Sequence, residues 1–279
     1  MKVAVFGAGT MGSGIAQVFA AHGHTTLMYA SSVASAQRHK DKLDASLQKR
    51  VEKGKMTQEA KDALMANIFV EEKSAAADAD LVIECAKEEM AYKRAMLSEL
   101  DGLCKESAIF ATNTSSLSVT EMGLGLKHPV IGMHFFNPVP SMKLVEIINA
   151  YDTSEDTIET GKAVAKGFGK EFVTVQDVPM FIANRIMCPM MNEAAILAGE
   201  NVCSYEDIDK ACELGYNLPM GPLKLADFIG IDVMIEVMES LYQETADSKY
   251  RPAHLYKVLY RAGHLGQKTG KGFYDYTKK

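Results

Sequence analysis

Short apolar runs alternate with amphipathic stretches along most of the chain. The runs Lys2–Phe6 and Thr25–Tyr29 have the apolar, β-branched character of strands, and Ile15, Val18 and Phe19 between them recur at helical spacing. Further strand-like runs follow at 68–70, 81–84, 108–112, 130–134, 144–148 and 172–175. Strands that alternate with helices predict an α/β domain of the Rossmann type, built on a doubly wound and mostly parallel sheet.

The pattern changes near Pro179, where we place a domain boundary because proline disfavours the continuation of regular structure. The spacing then becomes helical, which predicts helices over 182–198, 205–214, 222–242 and 254–262, followed by a strand-like run at 270–274. We therefore predict a dinucleotide-binding domain over 1–180, with a helical insertion near 33–66, and a smaller all-α domain over 181–279. The smaller domain cannot bury every apolar helix face by itself, so we expect a homodimer.

The first strand runs directly into the glycine-rich turn GAGTMG. A strand, a turn, a helix and a second strand in close succession form the context in which GxGxxG indicates dinucleotide binding. Gly7 permits the tight turn, Gly9 lets backbone N–H groups approach a pyrophosphate, and Gly12 lets the helix pack closely on the strand. The phosphate is then expected at the helix N-terminus, beside Thr10 and Met11, where unpaired N–H groups and the helix dipole favour an anion.

The choice between NAD and NADP stays open, because the second strand lacks the acidic residue that usually binds the adenosine ribose of NAD. Ala30 occupies that position, and Ser31 and Ser32 follow it. These hydroxyls, together with the basic segment Arg38-His39-Lys40 of the next helix, could accept a 2′-phosphate. The alternative is a solvated basic helix, with NAD held by backbone contacts alone.

Composition indicates an ordinary globular protein. The 279 residues are 47% hydrophobic and carry a net charge of −6, so a large core is possible and nucleic acid is not expected as a partner. Five cysteines without CxxC spacing argue against disulfides or a zinc site and indicate a reducing compartment. We expect no metal and no membrane partner, since the apolar runs are too short to span a bilayer. The first strand leaves no room for a leader, which suggests a cytoplasmic protein.

One basic run contrasts with this acidic composition. Lys49, Arg50, Lys53 and Lys55 lie close together, and Lys49 and Lys53 share a helix face because they are four residues apart. Such a run is usually only a solvated helix face. Because the run lies at the edge of a nucleotide-binding domain, the more specific hypothesis is that it binds a polyphosphate, such as that of coenzyme A.

Polar residues follow the ends of predicted strands, where a doubly wound sheet binds its ligand. Ser115, His134 and Asn137 are therefore expected to converge on the nicotinamide end of the cofactor. Glu146 lies inside a neighbouring apolar strand, where an unpaired carboxylate would be costly. A buried glutamate bonded to one imidazole nitrogen would fix the tautomer, so that His134 could act as general base towards a hydroxyl group. Asn184 is a candidate hydrogen-bond partner of the substrate or the histidine.

Six long segments carry a family resemblance: GAGTMGSGIAQ near the start, NTSSLS at 113–118, GMHFFNPVPSMKLVEII at 132–148, FIANRI at 181–186, PMGPLKLADFIGID at 219–232 and KTGKGFYDY at 268–276. Together they resemble short-chain (S)-3-hydroxyacyl-CoA dehydrogenases over essentially the whole chain, and most of all the stand-alone bacterial 3-hydroxybutyryl-CoA branch. The resemblance implies an oxidoreductase that interconverts a 3-hydroxyacyl-CoA and a 3-ketoacyl-CoA, as in fatty acid or butyrate metabolism.

The resemblance also assigns roles to individual residues. It makes His134 the base and Glu146 its orienting partner, with Ser115 and Asn184 holding the oxygens of the substrate. Cofactor contacts and coenzyme A contacts are implied at further positions: Glu88, Lys93, Asn113 and Asn137 for the cofactor, and Lys49 and Lys53 for coenzyme A. An acyl-CoA substrate and dimerisation through the C-terminal helices follow as well. Ala30 departs from the family pattern, so a preference for NAD cannot simply be inherited.

Two other interpretations remain open at this stage. Another two-domain β-hydroxyacid dehydrogenase would have a similar form, but such enzymes typically carry a catalytic lysine on the interdomain helix, where this chain has Asn184-Arg185. A non-catalytic relative that keeps only the fold is expected to lose the histidine–glutamate pair. Both His134 and Glu146 are present in this chain.

Overall fold

In the computed structural model, which describes residues 1–277, the chain forms two compact units, Met1–Val178 and Pro179–Lys279. The first unit contains one sheet with eight strands: β1 (Lys2–Phe6), β2 (Thr25–Tyr29), β3 (Ile68–Phe69), β4 (Leu81–Glu84), β5 (Ile109–Thr112), β6 (Val130–Phe135), β7 (Leu144–Asn149) and β8 (Glu171–Gln176). Its helices are α1 (Thr10–Ala21), α2 (Val33–Glu52), α3 (Gln58–Ala66), α4 (Met90–Asp101), α5 (Val119–Gly123) and α6 (Glu155–Gly167).

The strand order is β3-β2-β1-β4-β5-β6-β7-β8, and the pairs are parallel except for the antiparallel pair of β6 and β7. The predicted Rossmann-type, mostly parallel sheet is therefore confirmed. The chain first builds outward from β1 to β3 and then returns to β4 on the other side of β1. This reversal opens a crevice at the carboxyl ends of β1 and β4, which is where such sheets bind ligands.

Burial on both faces of the sheet explains the continuous apolar strands. Val3, Ala4 and Val5 of β1 are fully buried, as parallel strands covered by helices on both sides must be. Ile15 and Phe19 of α1 join them in one core, which fixes the helix against the sheet directly after the glycine turn. Removing these apolar surfaces from water is the main stabilising contribution in this unit.

The predicted insertion near 33–66 consists of two helices, α2 and α3. The Ser32 hydroxyl accepts a hydrogen bond from the backbone N–H of Ser35 and so caps α2, and Thr57 caps α3 in the same way. Between the two helices Gly54 takes φ 64°, a conformation that favours glycine. The basic residues near the end of α2 are thereby held on an exposed helix end.

The loop between β6 and β7 is held by a buried lysine. The Lys170 ammonium donates to the carbonyl oxygens of Val139 and Met142, both at 2.7 Å. Burial lowers the pKa of Lys170. Because this loop connects the only antiparallel strand pair described in the sheet, Lys170 stabilises the hairpin that carries His134 and Glu146.

The second unit is helical, with its apolar helix faces gathered in a core that includes Met191, Leu223, Met234 and Tyr256. Its helices are α7 (Ala183–Gly199), α8 (Tyr205–Gly215), α9 (Pro222–Ile229), α10 (Ile231–Thr245) and α11 (His254–Arg261). Within residues 1–277, no helix combines the length and the apolar character that a membrane crossing requires.

The prediction of one helix over 222–242 is wrong, since α9 and α10 are separate helices. Gly230 lies between them with φ 117°, a conformation in which a helix cannot continue. A Cβ atom at Gly230 would lie 2.8 Å from a carboxylate oxygen of Asp232. The apolar spacing runs on through this point, so periodicity alone does not reveal the break.

The prediction of a strand at 270–274 is also wrong. This segment forms only isolated bridges, from Gly266 to Lys271 and from Lys271 to Asp275. The buried carboxylate of Asp227 instead accepts hydrogen bonds from the backbone N–H groups of Phe273 and Tyr274, at 2.9 and 3.0 Å. The aromatic run therefore packs against a helix of its own unit without pairing with a strand.

Candidate active site

The glycine turn has the geometry of a phosphate cradle. A Cβ atom at Gly7 would lie 2.4 Å from the carbonyl oxygen of Cys85, and one at Gly12 would lie 1.8 Å from that of Gly7. At Gly9, by contrast, a Cβ atom would have no neighbour within 4 Å. Gly9 is also the N-cap of α1 and has no side chain that could cap the helix. The first N–H groups of α1 therefore have no side-chain cap, and the position beside them at Gly9 is open.

The antiparallel pairing of β6 and β7 sets His134 directly opposite Glu146. The imidazole Nδ1 lies 2.6 Å from a carboxylate oxygen of Glu146, and the glutamate side chain is fully buried. An ionised carboxylate only accepts hydrogen bonds, so Nδ1 is the nitrogen that donates and Nε2 is the basic one. The Phe136 ring packs on the imidazole, with 4.5 Å between ring centroids. The pair can thus orient a neutral imidazole and stabilise its protonated form.

A cavity of about 350 Å³ lies at this edge of the sheet, beside the glycine turn. It brings together seven of the residues singled out from the sequence: Met11, Glu88, Lys93, Asn113, Ser115, His134 and Asn137. They come from α1, from α4, from the end of β6 and from the segments that follow β4, β5 and β6. The carboxyl ends of these strands converge, as expected for a doubly wound sheet.

Glu88 organises the segment that follows β5. One of its carboxylate oxygens accepts hydrogen bonds from the Thr114 hydroxyl at 2.5 Å, from the Ser115 backbone N–H at 3.0 Å and from the Ser116 hydroxyl at 3.0 Å. Burial would raise the pKa of Glu88, but Lys93 and the Thr114 hydroxyl hold it below its usual range. The hydroxyl of Ser116 is committed to this carboxylate, whereas Ser115 lines the cavity.

A buried network of ion pairs and hydrogen bonds behind the cavity was not predicted from the sequence. The Lys93 ammonium is 2.8 Å from both carboxylate oxygens of Glu84 and 3.0 Å from Glu88, and the Thr112 hydroxyl donates to Glu84 at 2.7 Å. Burial opposes the charged form of Lys93, but Glu84 and Glu88 raise its pKa above the usual value. Glu84 ends an otherwise apolar strand, so the reasoning that identified Glu146 would have found it as well.

Two other pairs of predicted residues, both in the first unit, lie outside this cavity. Ala30 and Ser31 line a second cavity, of about 380 Å³, at the carboxyl ends of β1 and β2. Lys49 and Lys53 are exposed near the end of α2 and line neither cavity. Asn184 lies in the first turn of α7, in the second unit.

A mostly parallel sheet, a glycine turn at its first strand and a histidine–glutamate pair beside the cavity define a dinucleotide-binding dehydrogenase. Comparison with known families gives the finer assignment. Residues 2–178 match the model described as the NAD binding domain of 3-hydroxyacyl-CoA dehydrogenase, and residues 181–276 match the model of its C-terminal domain. The chain belongs to the 3-hydroxyacyl-CoA dehydrogenase family, which confirms the resemblance noted in the sequence.

Individual relatives match over nearly their full length. The chain is 46% identical over 281 residues to 3-hydroxybutyryl-CoA dehydrogenase of Clostridioides difficile, and the match covers 100% of both chains. It is 45% identical to the probable 3-hydroxybutyryl-CoA dehydrogenase of Bacillus subtilis (strain 168), covering 100% of this chain and 98% of the relative. The crystal structure of (S)-3-hydroxybutyryl-CoA dehydrogenase from Ralstonia eutropha is similar with a TM-score of 0.94, at 44% identity and with 99% of each chain covered.

Proposed function

We propose that this protein interconverts (S)-3-hydroxybutyryl-CoA and acetoacetyl-CoA, with NAD as the hydride carrier. The observation that carries the proposal is the His134–Glu146 pair in the cavity beside the glycine turn. The names of the relatives from Clostridioides difficile and Ralstonia eutropha support the short acyl chain and the (S) configuration. The neighbouring Ser115 supplies a hydroxyl group on the cavity wall.

The residues of the glycine turn fit a dinucleotide. Gly9 leaves space at the N-terminus of α1, where a side chain would otherwise stand. The unpaired N–H groups of the first helical turn, which includes Thr10 and Met11, would hold the pyrophosphate. Asn113 and Asn137, on the wall of the cavity, would contact the nicotinamide end. The bound oxidised nicotinamide supplies a hydride acceptor for the substrate.

His134 provides the proton chemistry. Its Nε2 would take the proton of the substrate hydroxyl during oxidation and return a proton to the carbonyl oxygen during reduction. Glu146 keeps Nδ1 protonated, which leaves Nε2 as the base, and it stabilises the imidazolium that forms. The Ser115 hydroxyl would donate to the same substrate oxygen and hold it against Nε2. The role of Asn184 stays a prediction from the family resemblance.

Lys49 and Lys53 would bind the phosphates of coenzyme A. Both are exposed, they lie one helical turn apart, and no ion pair engages either of them within residues 1–277. An exposed ammonium pair with no carboxylate partner is available for an anionic ligand. The neighbouring Lys61 differs in this respect, because it is paired with Asp44 at 2.8 Å.

Replacing both Lys49 and Lys53 with alanine is expected to raise KM for acetoacetyl-CoA by about tenfold while changing kcat little, because lost phosphate contacts affect binding and not the chemical step. Initial rates over a range of substrate concentrations measure both constants. The matched control is the double variant Lys127→Ala with Lys210→Ala, which removes two exposed lysines that also form no ion pair within residues 1–277. An equal rise in KM for the acetoacetyl-pantetheine thioester, which lacks the nucleotide, would contradict phosphate binding by these lysines.

We also propose that the C-terminal unit forms a homodimer. Several of its large apolar side chains are exposed: Ile186, Val202, Leu214, Tyr216, Phe228 and Tyr260. Exposed apolar surface of this kind favours association with a second copy. Mass measurement at micromolar concentration is expected to give twice the chain mass, and a monomer would contradict the proposal.

The direct test of the proposed activity compares two substrates. Acetoacetyl-CoA is expected to support rapid NADH oxidation, whereas free acetoacetate, which lacks the coenzyme, is expected to support almost none. If acetoacetyl-CoA is not reduced but a longer 3-ketoacyl-CoA is, the proposed preference for a short acyl chain is wrong. If no 3-ketoacyl-CoA is reduced, the proposed dehydrogenase activity is wrong.

A further inference from the structure

The second cavity lies where this type of fold binds the adenosine ribose. It opens at the carboxyl ends of β1 and β2 and has a volume of about 380 Å³. The rings of Phe6 and Tyr29 stack on its wall, with 4.3 Å between centroids. An acidic residue at the end of β2 normally meets the ribose here, and Ala30 offers no carboxylate. Discrimination between NAD and NADP must therefore come from other residues of this chain.

Carboxylates reach this cavity from the neighbouring strand. β3 pairs in parallel with β2, so its carboxyl end opens at the same edge of the sheet. Glu71 and Glu72 follow β3 closely and both line the cavity. Neither forms an ion pair within the part of the chain that the structure describes. Glu99 of α4 adds a third carboxylate to the lining.

The cations near this cavity are already engaged or lie elsewhere. Lys73 is the one basic residue among the described lining residues, and its ammonium is 2.6 Å from the carboxylate of Glu99. The basic segment Arg38-His39-Lys40 does not contribute to the lining. The Lys40 ammonium donates instead to the carbonyl oxygen of Ile68. A 2′-phosphate at this site would thus find no unpaired cation on the described cavity wall.

Two further observations concern the hydrogen bonding and the charge of this cavity wall. The Ser32 hydroxyl accepts from the Ser35 N–H as the cap of α2, so one of the two serines proposed for phosphate binding already has a structural role. Burial raises the pKa of the Tyr29 hydroxyl, and the charge of Glu71 raises it further, which reflects the proximity of that carboxylate to the cavity wall.

We propose that Glu71 and Glu72 are the residues that select NAD over NADP in this chain. Their carboxylates replace, from the end of β3, the acid that is absent at Ala30, and they repel the 2′-phosphate of NADP. This inference takes from the proposed function only that the cofactor is a nicotinamide dinucleotide. A 2′-phosphate carries close to two negative charges at neutral pH, so two carboxylates on the wall of its site oppose its binding.

Binding of the reduced cofactors tests this proposal without turnover. The dissociation constants of NADH and NADPH are measured by the change in nicotinamide fluorescence, for the full chain and for the double variant Glu71→Gln with Glu72→Gln. Glutamine keeps the size and the hydrogen-bonding capacity of glutamate and removes only its charge. The unmodified chain is expected to prefer NADH, and the double variant to lower the NADPH-to-NADH ratio of dissociation constants by about tenfold.

The matched control removes two exposed carboxylates outside the cavity, as Glu106→Gln with Glu171→Gln, and is expected to leave the ratio unchanged. Added salt should reduce the preference of the unmodified chain more than that of the Glu71/Glu72 variant, because salt screens exposed charges. An unmodified chain that prefers NADPH, or a ratio unaffected by the Glu71/Glu72 variant, would overturn the proposal. Selective NADH binding without any turnover of 3-ketoacyl-CoA would instead leave it standing and remove the proposed activity.

Discussion

His134→Ala is expected to lower kcat by about 10²–10⁴-fold while leaving the fold intact, which is the typical contribution of a general acid–base group. The imidazole is the group in the cavity whose basic nitrogen is fixed by a buried carboxylate, through the 2.6 Å contact with Glu146. Stopped assays of acetoacetyl-CoA reduction at saturating substrate measure the loss. Circular dichroism and NADH binding report whether the fold and the cofactor site are retained.

A milder variant of the same pair and a control histidine variant accompany His134→Ala. Glu146→Gln keeps an acceptor for the Nδ1 proton but removes the charge that stabilises the imidazolium, so a smaller loss of kcat is expected than for His134→Ala. His22→Ala removes an exposed histidine at the end of α1 and is expected to leave kcat unchanged. A near-normal kcat for His134→Ala, in a protein that still binds NADH, would show that another group moves the proton.

Glu84→Ala is expected to have the largest effect on stability, lowering the free energy of unfolding by about 3–5 kcal/mol. The substitution leaves the Lys93 ammonium, which is 1% exposed, without the carboxylate that holds it at 2.8 Å. It also removes the acceptor of the Thr112 hydroxyl. Denaturant unfolding followed by far-ultraviolet circular dichroism measures the change.

An exposed ion pair in the same region provides the control for Glu84. Glu89 is paired with Lys87 at 2.5 Å, but both side chains are more than half exposed, at 54% and 69%. Glu89→Ala is therefore expected to cost only about 0–1 kcal/mol. Comparable losses in Glu84→Ala and Glu89→Ala would contradict the structural role of the buried network.

Much of the fold follows from local pattern. The strands of the sheet are short apolar runs bounded by polar turns, and the spacing of the glycines after β1 is enough to mark the dinucleotide-binding edge. The break at Gly230 could not be predicted in this way, because the apolar spacing continues across it. The segment 270–274 has a strand-like composition, but the backbone N–H groups of Phe273 and Tyr274 donate to Asp227, which lies far away in the sequence.

The candidate site, too, could be predicted only in part from local sequence pattern. An acid inside an apolar strand indicates a buried partner, which is how Glu146 could be paired with His134 from the sequence alone. Glu71 and Glu72 gave no such signal, because they follow a strand of only two residues, and their importance depends on that strand lying beside β2. Strand order is a long-range property that a single sequence does not display.

Oxidation of the two enantiomers of 3-hydroxybutyryl-CoA, measured side by side with NAD, tests the central claim most directly. A fixed base and a fixed nicotinamide face can accept only one configuration at C3, so rapid reduction of NAD is expected with the (S) enantiomer and almost none with the (R) enantiomer. Equal rates, a preference for the (R) enantiomer, or no reduction of NAD with either would contradict the proposed arrangement of His134, Glu146 and the cofactor.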